Sequence, residues 1–133
     1  MPYMAKRKSS SGAPSQRQLR VGEVIRRRMA ETLQRGEIHD PDLNRFSITV
    51  SEVRCTPDLS IATSFVLPLG GDGKEEMLAA LARNKGEIRH QVSKALQIKH
   101  VPEIRFMIDD TFDRMDATRA MLSEDHVRQD LDD

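Results

Sequence analysis

Residues 81–96 read LARNKGEIRHQVSKAL, an apolar helical stripe that passes straight through a glycine ringed by basic side chains. Leu81, Ile88, Val92 and Leu96 stand seven, four and four apart, the spacing of one helix face. Gly86 lies inside the stripe, and a residue without Cβ weakens a helix interior and lets another backbone come close. The stretch therefore predicts a helix, a kink and a second helix. Lys85 and Arg89 share a face one turn apart, with Arg83 before them and Lys94 after. A helix restarting near Gly86 would turn free N–H groups and the positive end of its dipole outward, and these cations would add to an anion site. A kinked core helix with solvated charges would give the same pattern, so this stretch alone does not decide function.

Working outward, residues 17–35 carry Val21, Val24, Ile25, Met29 and Leu33 at helical spacing, and Gly36 stands where a C-terminal cap belongs. Arg20, Arg26, Arg27 and Arg28 crowd this first helix. Arg20 and Arg27 fall opposite the Val21, Ile25 and Met29 stripe, and Arg28 borders it. EIHDPDLN reads as a loop with turn chemistry at Asp40-Pro41. Phe46, Ile48 and Val50 then alternate with polar residues as a strand, and the phase flips to Val53 and Cys55, which predicts a bulge near Ser51 or Glu52. Thr56-Pro57-Asp58 makes a tight turn into a second, antiparallel strand with Leu59, Ile61, Phe65 and Leu67 on one face. Helices over 74–83 and 86–98 follow, and Pro102 opens a third strand through Ile104, Phe106 and Ile108. The order is α-β-β-α-kink-α-β, an α+β fold of type II KH-like arrangement with the helices on one face of a three-stranded sheet.

The flanks differ. Residues 1–16 are polar and basic, with Lys6, Arg7 and Lys8, and read as a flexible arm. Residues 17–116 form the domain, and 117–133 an acidic segment, helical or disordered, in which Met121 and Leu122 suggest a helix. The zero net charge hides a gradient: residues 1–35 carry +7, 36–108 carry −1 and 109–133 carry −6. A basic N-terminal half favours a polyanion by releasing its counterions, whereas the acidic end must face elsewhere or fold back.

Several chemistries are disfavoured. The single cysteine, Cys55, allows no internal disulfide and suits a reducing cytoplasm. No apolar run has the length of a membrane span, and no secretory apolar region follows the basic N-terminus. The four histidines fall at no metal-ligand spacing, Cys55 reads as a strand residue facing apolar surface, and no cofactor motif is present. Gly70-Gly71-Asp72-Gly73 spells a phosphate-loop pattern, but it lies between strand and helix with an acid inside it, so it reads as a connection. Asp109, Asp110, Asp113 and Asp116 read as a solvated acidic face. Phe46, Phe65 and Phe106 each belong to an alternating apolar set and should point at the helices, which disfavours a base-stacking sheet.

Four stretches carry a family resemblance: RVGEVIRRRMAETL (20–33), VRCTPDLSIA (53–62), NKGEIRHQVSKAL (84–96) and VPEIRF (101–106). In this order and spacing they resemble the ribosome-binding factor A family over roughly residues 17–116. The resemblance implies a monomeric, non-enzymatic assembly factor that binds immature 30S subunits, acts late in 16S rRNA maturation and matters for growth in the cold. The family's kink is usually Ala-x-Gly; here it reads Asn84-Lys85-Gly86, and asparagine can make the turn and bond to backbone. The RNA-binding residues expected are Arg83, Lys85, Gly86, Arg89 and Lys94 at the kink, Arg20, Arg26, Arg27 and Arg28 on the first helix, and Lys6, Arg7 and Lys8 in the arm. The alternative is a protein-interaction module that docks a basic partner through its acidic C-terminal segment.

Overall fold

Ser15 opens the first helix with a reciprocal cap. Its Oγ accepts from the Gln18 N–H at 3.1 Å, and Gln18 Oε1 accepts from the Ser15 N–H at 2.8 Å. Helix α1 then runs Gln16–Gln34 and buries Val21, Ile25, Met29 and Thr32. Gly36, at φ +66°, ends it as expected. The computed structural model describes residues 13–111. The basic arm with Lys6, Arg7 and Lys8 lies almost wholly outside these residues, and the acidic segment 117–133 and the helix expected around Met121 and Leu122 entirely so.

The stretch expected to be a loop contains one turn of helix, α2, Pro41–Asn44. Asp40 caps it by accepting from the Asp42 N–H at 3.0 Å, Pro41 sets the first helical φ, and buried Leu43 anchors the turn to the core. Strands β1, Ile48–Cys55, and β2, Ile61–Pro68, form the expected antiparallel hairpin. Their register slips between Val50 and Glu52, where the phase change had located a bulge. Leu59 takes φ +59° in the turn, a costly conformation for leucine, and its buried side chain offsets that cost.

Helices α3, Lys74–Arg83, and α4, Lys85–Ser93, are separated by Asn84 alone. The second of these stops well before Ile98, where the apolar periodicity had suggested its end. Strand β3, Glu103–Ile108, then pairs parallel to β2, giving the sheet order β1-β2-β3. Ile25, Met29, Met77, Leu81, Ile88 and Val92 of the helices cover Val50, Ala62, Val66 and Ile104 of the sheet, all nearly or wholly buried. Each such aliphatic side chain contributes about 1.5–3 kcal/mol by leaving water.

One face assignment is corrected. On β2 the core face is Ala62, Ser64, Val66 and Pro68, whereas Ile61, Phe65 and Leu67 are half-buried on the opposite face. The larger apolar residues had suggested the reverse. Small side chains lie under the helices because Met29, Ile25 and Ile88 already fill that space. Phe65 thus faces away from the helices, with the Arg54 guanidinium 5.1 Å from its ring centre. Phe46 and Phe106 do pack against the core.

Candidate RNA-binding surface

Helix α1 lies on the sheet at Gly22 and beside α4 along its other flank. Arg28 stitches the second seam. Its Nε donates to the Gln91 backbone carbonyl at 3.2 Å and its Nη2 to Gln91 Oε1 at 3.0 Å, with Glu37 Oε1 at 3.2 Å. Only 18% of this side chain is exposed. Arg28 therefore ties α1 to α4, since the border of an apolar stripe is where a neighbouring helix meets it. Arg26 is held by Glu23 at 2.6 and 3.0 Å, and Arg27 Nε shares the same carboxylate at 3.0 Å. These hydrogen bonds, Arg26's first, bring Glu23 from an ordinary 4.5 down to about 2. Arg27 keeps 72% of its side chain exposed, so its charge still reaches solvent.

Arg17 and Arg20 are exposed and make no ion pair among the described residues. Arg17 stands eleven residues, three turns, before Arg28 on the same helical face. The sequence reading missed it, although that spacing was visible. At the C-cap of α4, Lys94 follows Gln91 by three positions and is likewise exposed and unpaired among the described residues. Arg17, Arg20, Arg27 and Lys94 thus present exposed cations on α1 and at the end of α4.

The kink differs from its expected form. Asn84, at φ −102° and ψ 15°, makes the break, and Gly86 sits within α4. Gly86 is exposed, and a Cβ built there would meet nothing within 4 Å. Its backbone is open to a ligand, but nothing in the fold needs a glycine there. Lys85 lies 3.7 Å from Glu103. Arg89 Nη2 donates to the Val101 carbonyl at 2.7 Å and Nε to that of Pro102 at 3.2 Å, which ties α4 to the loop ahead of β3. That tether makes Arg89 a loop anchor through two of its five N–H donors, which leaves the others of this exposed side chain for a further partner. Arg83 binds Asp40 Oδ2 through Nε at 3.1 Å and Nη2 at 2.7 Å. The same oxygen accepts from Asn84 Nδ2 at 2.6 Å, and Asn84 Nδ2 also reaches the Ala80 carbonyl at 2.8 Å. The amide of Asn84 first and Arg83 second hold the Asp40 carboxyl down from 3.8 to about 2.

The remaining candidates behave as packing or loop residues. The thiol of Cys55 is pushed up by burial, opposite to the shift of an activated nucleophile. Gly70, Gly71 and Gly73 take positive φ in the connection between β2 and α3. Asp109 accepts from Ser51 Oγ at 2.6 Å. Asp113 and Asp116 lie outside the described residues. Among the described residues no helix is long and apolar enough to cross a membrane.

A three-stranded sheet under one layer of helices, with a kinked pair leading into a parallel strand, defines a type II KH-like α+β domain. The chain belongs to the ribosome-binding factor A family, whose sequence profile matches residues 17–122. It is 62% identical to ribosome-binding factor A of Dinoroseobacter shibae over 97% of this chain and 96% of that one. Among solved structures, a Thermotoga maritima protein determined by NMR is 32% identical, with TM-score 0.59, covering 71% of this chain and 89% of that one. A homology model of the Thermus thermophilus ribosome binding factor A, fitted into the cryo-EM map of its 30S complex, is 25% identical, with TM-score 0.53, covering 65% and 89%.

Proposed function

We propose that this protein binds the small ribosomal subunit in the cytoplasm and assists its late assembly, including 16S rRNA maturation, without catalysing a reaction. The observation that carries this reading is the shared fold and sequence with the Thermus thermophilus protein fitted into a 30S complex. The exposed cations support it. Arg17, Arg20, Arg27 and Lys94 can meet phosphates without first breaking a helix-to-helix contact, and Lys85 and the open backbone at Gly86 extend that surface toward the kink. Phe65 does not make a base-stacking platform, because it is half-buried beneath an arginine. Recognition therefore rests on backbone and shape, with little direct base reading.

Co-sedimentation of the full chain with purified 30S, 50S and 70S particles tests this. The expected result is retention on 30S in preference to 70S, lost when Arg20, Arg27 and Lys94 are all changed to Glu. Equal retention on all three particles, or a triple variant that binds like the wild type, would overturn it.

A further inference from the structure

Asp40 joins three elements at one carboxylate. Oδ1 caps α2, and Oδ2 receives both the kink amide of Asn84 and two donors of Arg83. The pair is unequal: 14% of the Asp40 side chain is exposed against 53% of Arg83. The cation reaches solvent while its counter-charge is anchored. An ordinary surface ion pair has two mobile partners and yields readily to a third charge. Here the acid is fixed by the Asp42 N–H and by Asn84, whose amide is in turn held by Ala80, so it cannot swing aside when a phosphate arrives. Asp42 Oδ2, 3.8 Å from the same guanidinium, adds repulsion toward an incoming anion. The depressed carboxyl of Asp40 remains ionised at any neutral pH.

Resting on the reading that this chain binds RNA, we propose that Asp40 is a specificity-determining residue that withholds Arg83 from RNA phosphates. A loose arginine beside the open backbone of Gly86 would bind any polyanion, since phosphate contacts carry no sequence or shape information of their own. With Arg83 silenced, the kink contributes through backbone access and Lys85, and binding to unstructured RNA stays weak. Asn84 belongs to the same device, as the donor that keeps the acid in place.

The test measures affinity of the full chain for an unstructured oligouridine and for 30S particles across a salt series. The variants are Asp40→Asn, Arg83→Gln, their combination, and Asn84→Ala, each checked for folding by thermal melting. Asp40→Asn should bind the oligonucleotide several-fold more tightly at low salt, the gain shrinking roughly threefold between about 50 and about 200 mM salt, as one added phosphate contact requires. Arg83→Gln alone should change neither affinity by more than about twofold, and in the combined variant it should erase the gain. Asn84→Ala, which removes one of the two anchors of the acid but leaves its charge beside Arg83, should give a smaller gain of the same sign. A gain that survives in the combined variant, or no gain from Asp40→Asn, would overturn the inference. Loss of wild-type-level binding in Arg83→Gln would overturn it too, and that arm stands even if Asp40→Asn does not fold. A wild type that binds neither RNA nor 30S would sink the functional reading as well, whereas a wild type that binds 30S beside an unchanged Asp40→Asn would sink this inference alone.

Discussion

Gly22 lies directly against the carbonyl of Val53: a Cβ at this position would stand 2.6 Å from the oxygen. Helix α1 crosses β1 there, one turn after the Gln18 side-chain amide donates to the Cys55 carbonyl at 2.9 Å. The contact lets the helix cover strand carbonyls at the sheet edge, which would otherwise offer themselves to another chain.

Gly22→Ala is therefore expected to destabilise the domain. Alanine would gain up to about 1 kcal/mol of helix propensity over glycine in a helix interior. The clash is with backbone, which cannot rotate away, and overpacking of this kind costs about 1–3 kcal/mol. Urea denaturation decides the sign, and a variant more stable than the wild type would show that α1 can lift off β1 freely.

The arginines of α1 should separate into two kinds. Arg28→Ala should lose about 1–3 kcal/mol, because buried partners at Gln91 and Glu37 are left unmet. Arg20→Ala and Arg27→Ala should change stability by no more than about 0.5 kcal/mol while weakening 30S retention. Thermal melting and sedimentation on the same preparations distinguish them.

At the kink, Lys85 and Arg89 should separate in the same way. Arg89→Ala alone should lose about 1–2 kcal/mol through the Val101 and Pro102 carbonyls. Lys85→Ala should leave stability nearly unchanged, since its contact with Glu103 is long and exposed. Chemical denaturation of the two single variants checks the difference.

Acid should weaken the fold in a defined window. Asp40 and Glu23 both titrate lower in the folded chain than in the unfolded one, from 3.8 and 4.5 to about 2. Their contribution is present above the unfolded values and is lost as pH falls from about 4.5 toward 2. The wild-type melting temperature should drop across that range. Asp40→Asn should melt lower than the wild type at neutral pH and lose less on acidification; equal losses would remove Asp40 from the acid response.

Local patterns in the chain determined the elements and their order. The stripes of α1 and α4, the cap at Gly36, the phase change that marks the bulge and the alternation of β3 each follow from short-range spacing, and the motifs at 20–33, 53–62, 84–96 and 101–106 carried the family. Even some features that escaped notice were local, such as the Ser15–Gln18 cap and the Asp40-Pro41 start of α2. The tertiary structure decided which face of β2 is covered and which cations are free. Ile61, Phe65 and Leu67 look like a core face until the helix side chains that fill the space over Ala62 and Ser64 are known. Arg28, Arg83 and Arg89 carry no sign in the local sequence of their partners Gln91, Asp40 and the carbonyls of Val101 and Pro102, which come from 12 to 63 residues away. Periodicity states the side of an element on which a charge sits, but what neutralises that charge depends on which distant segment packs beside it.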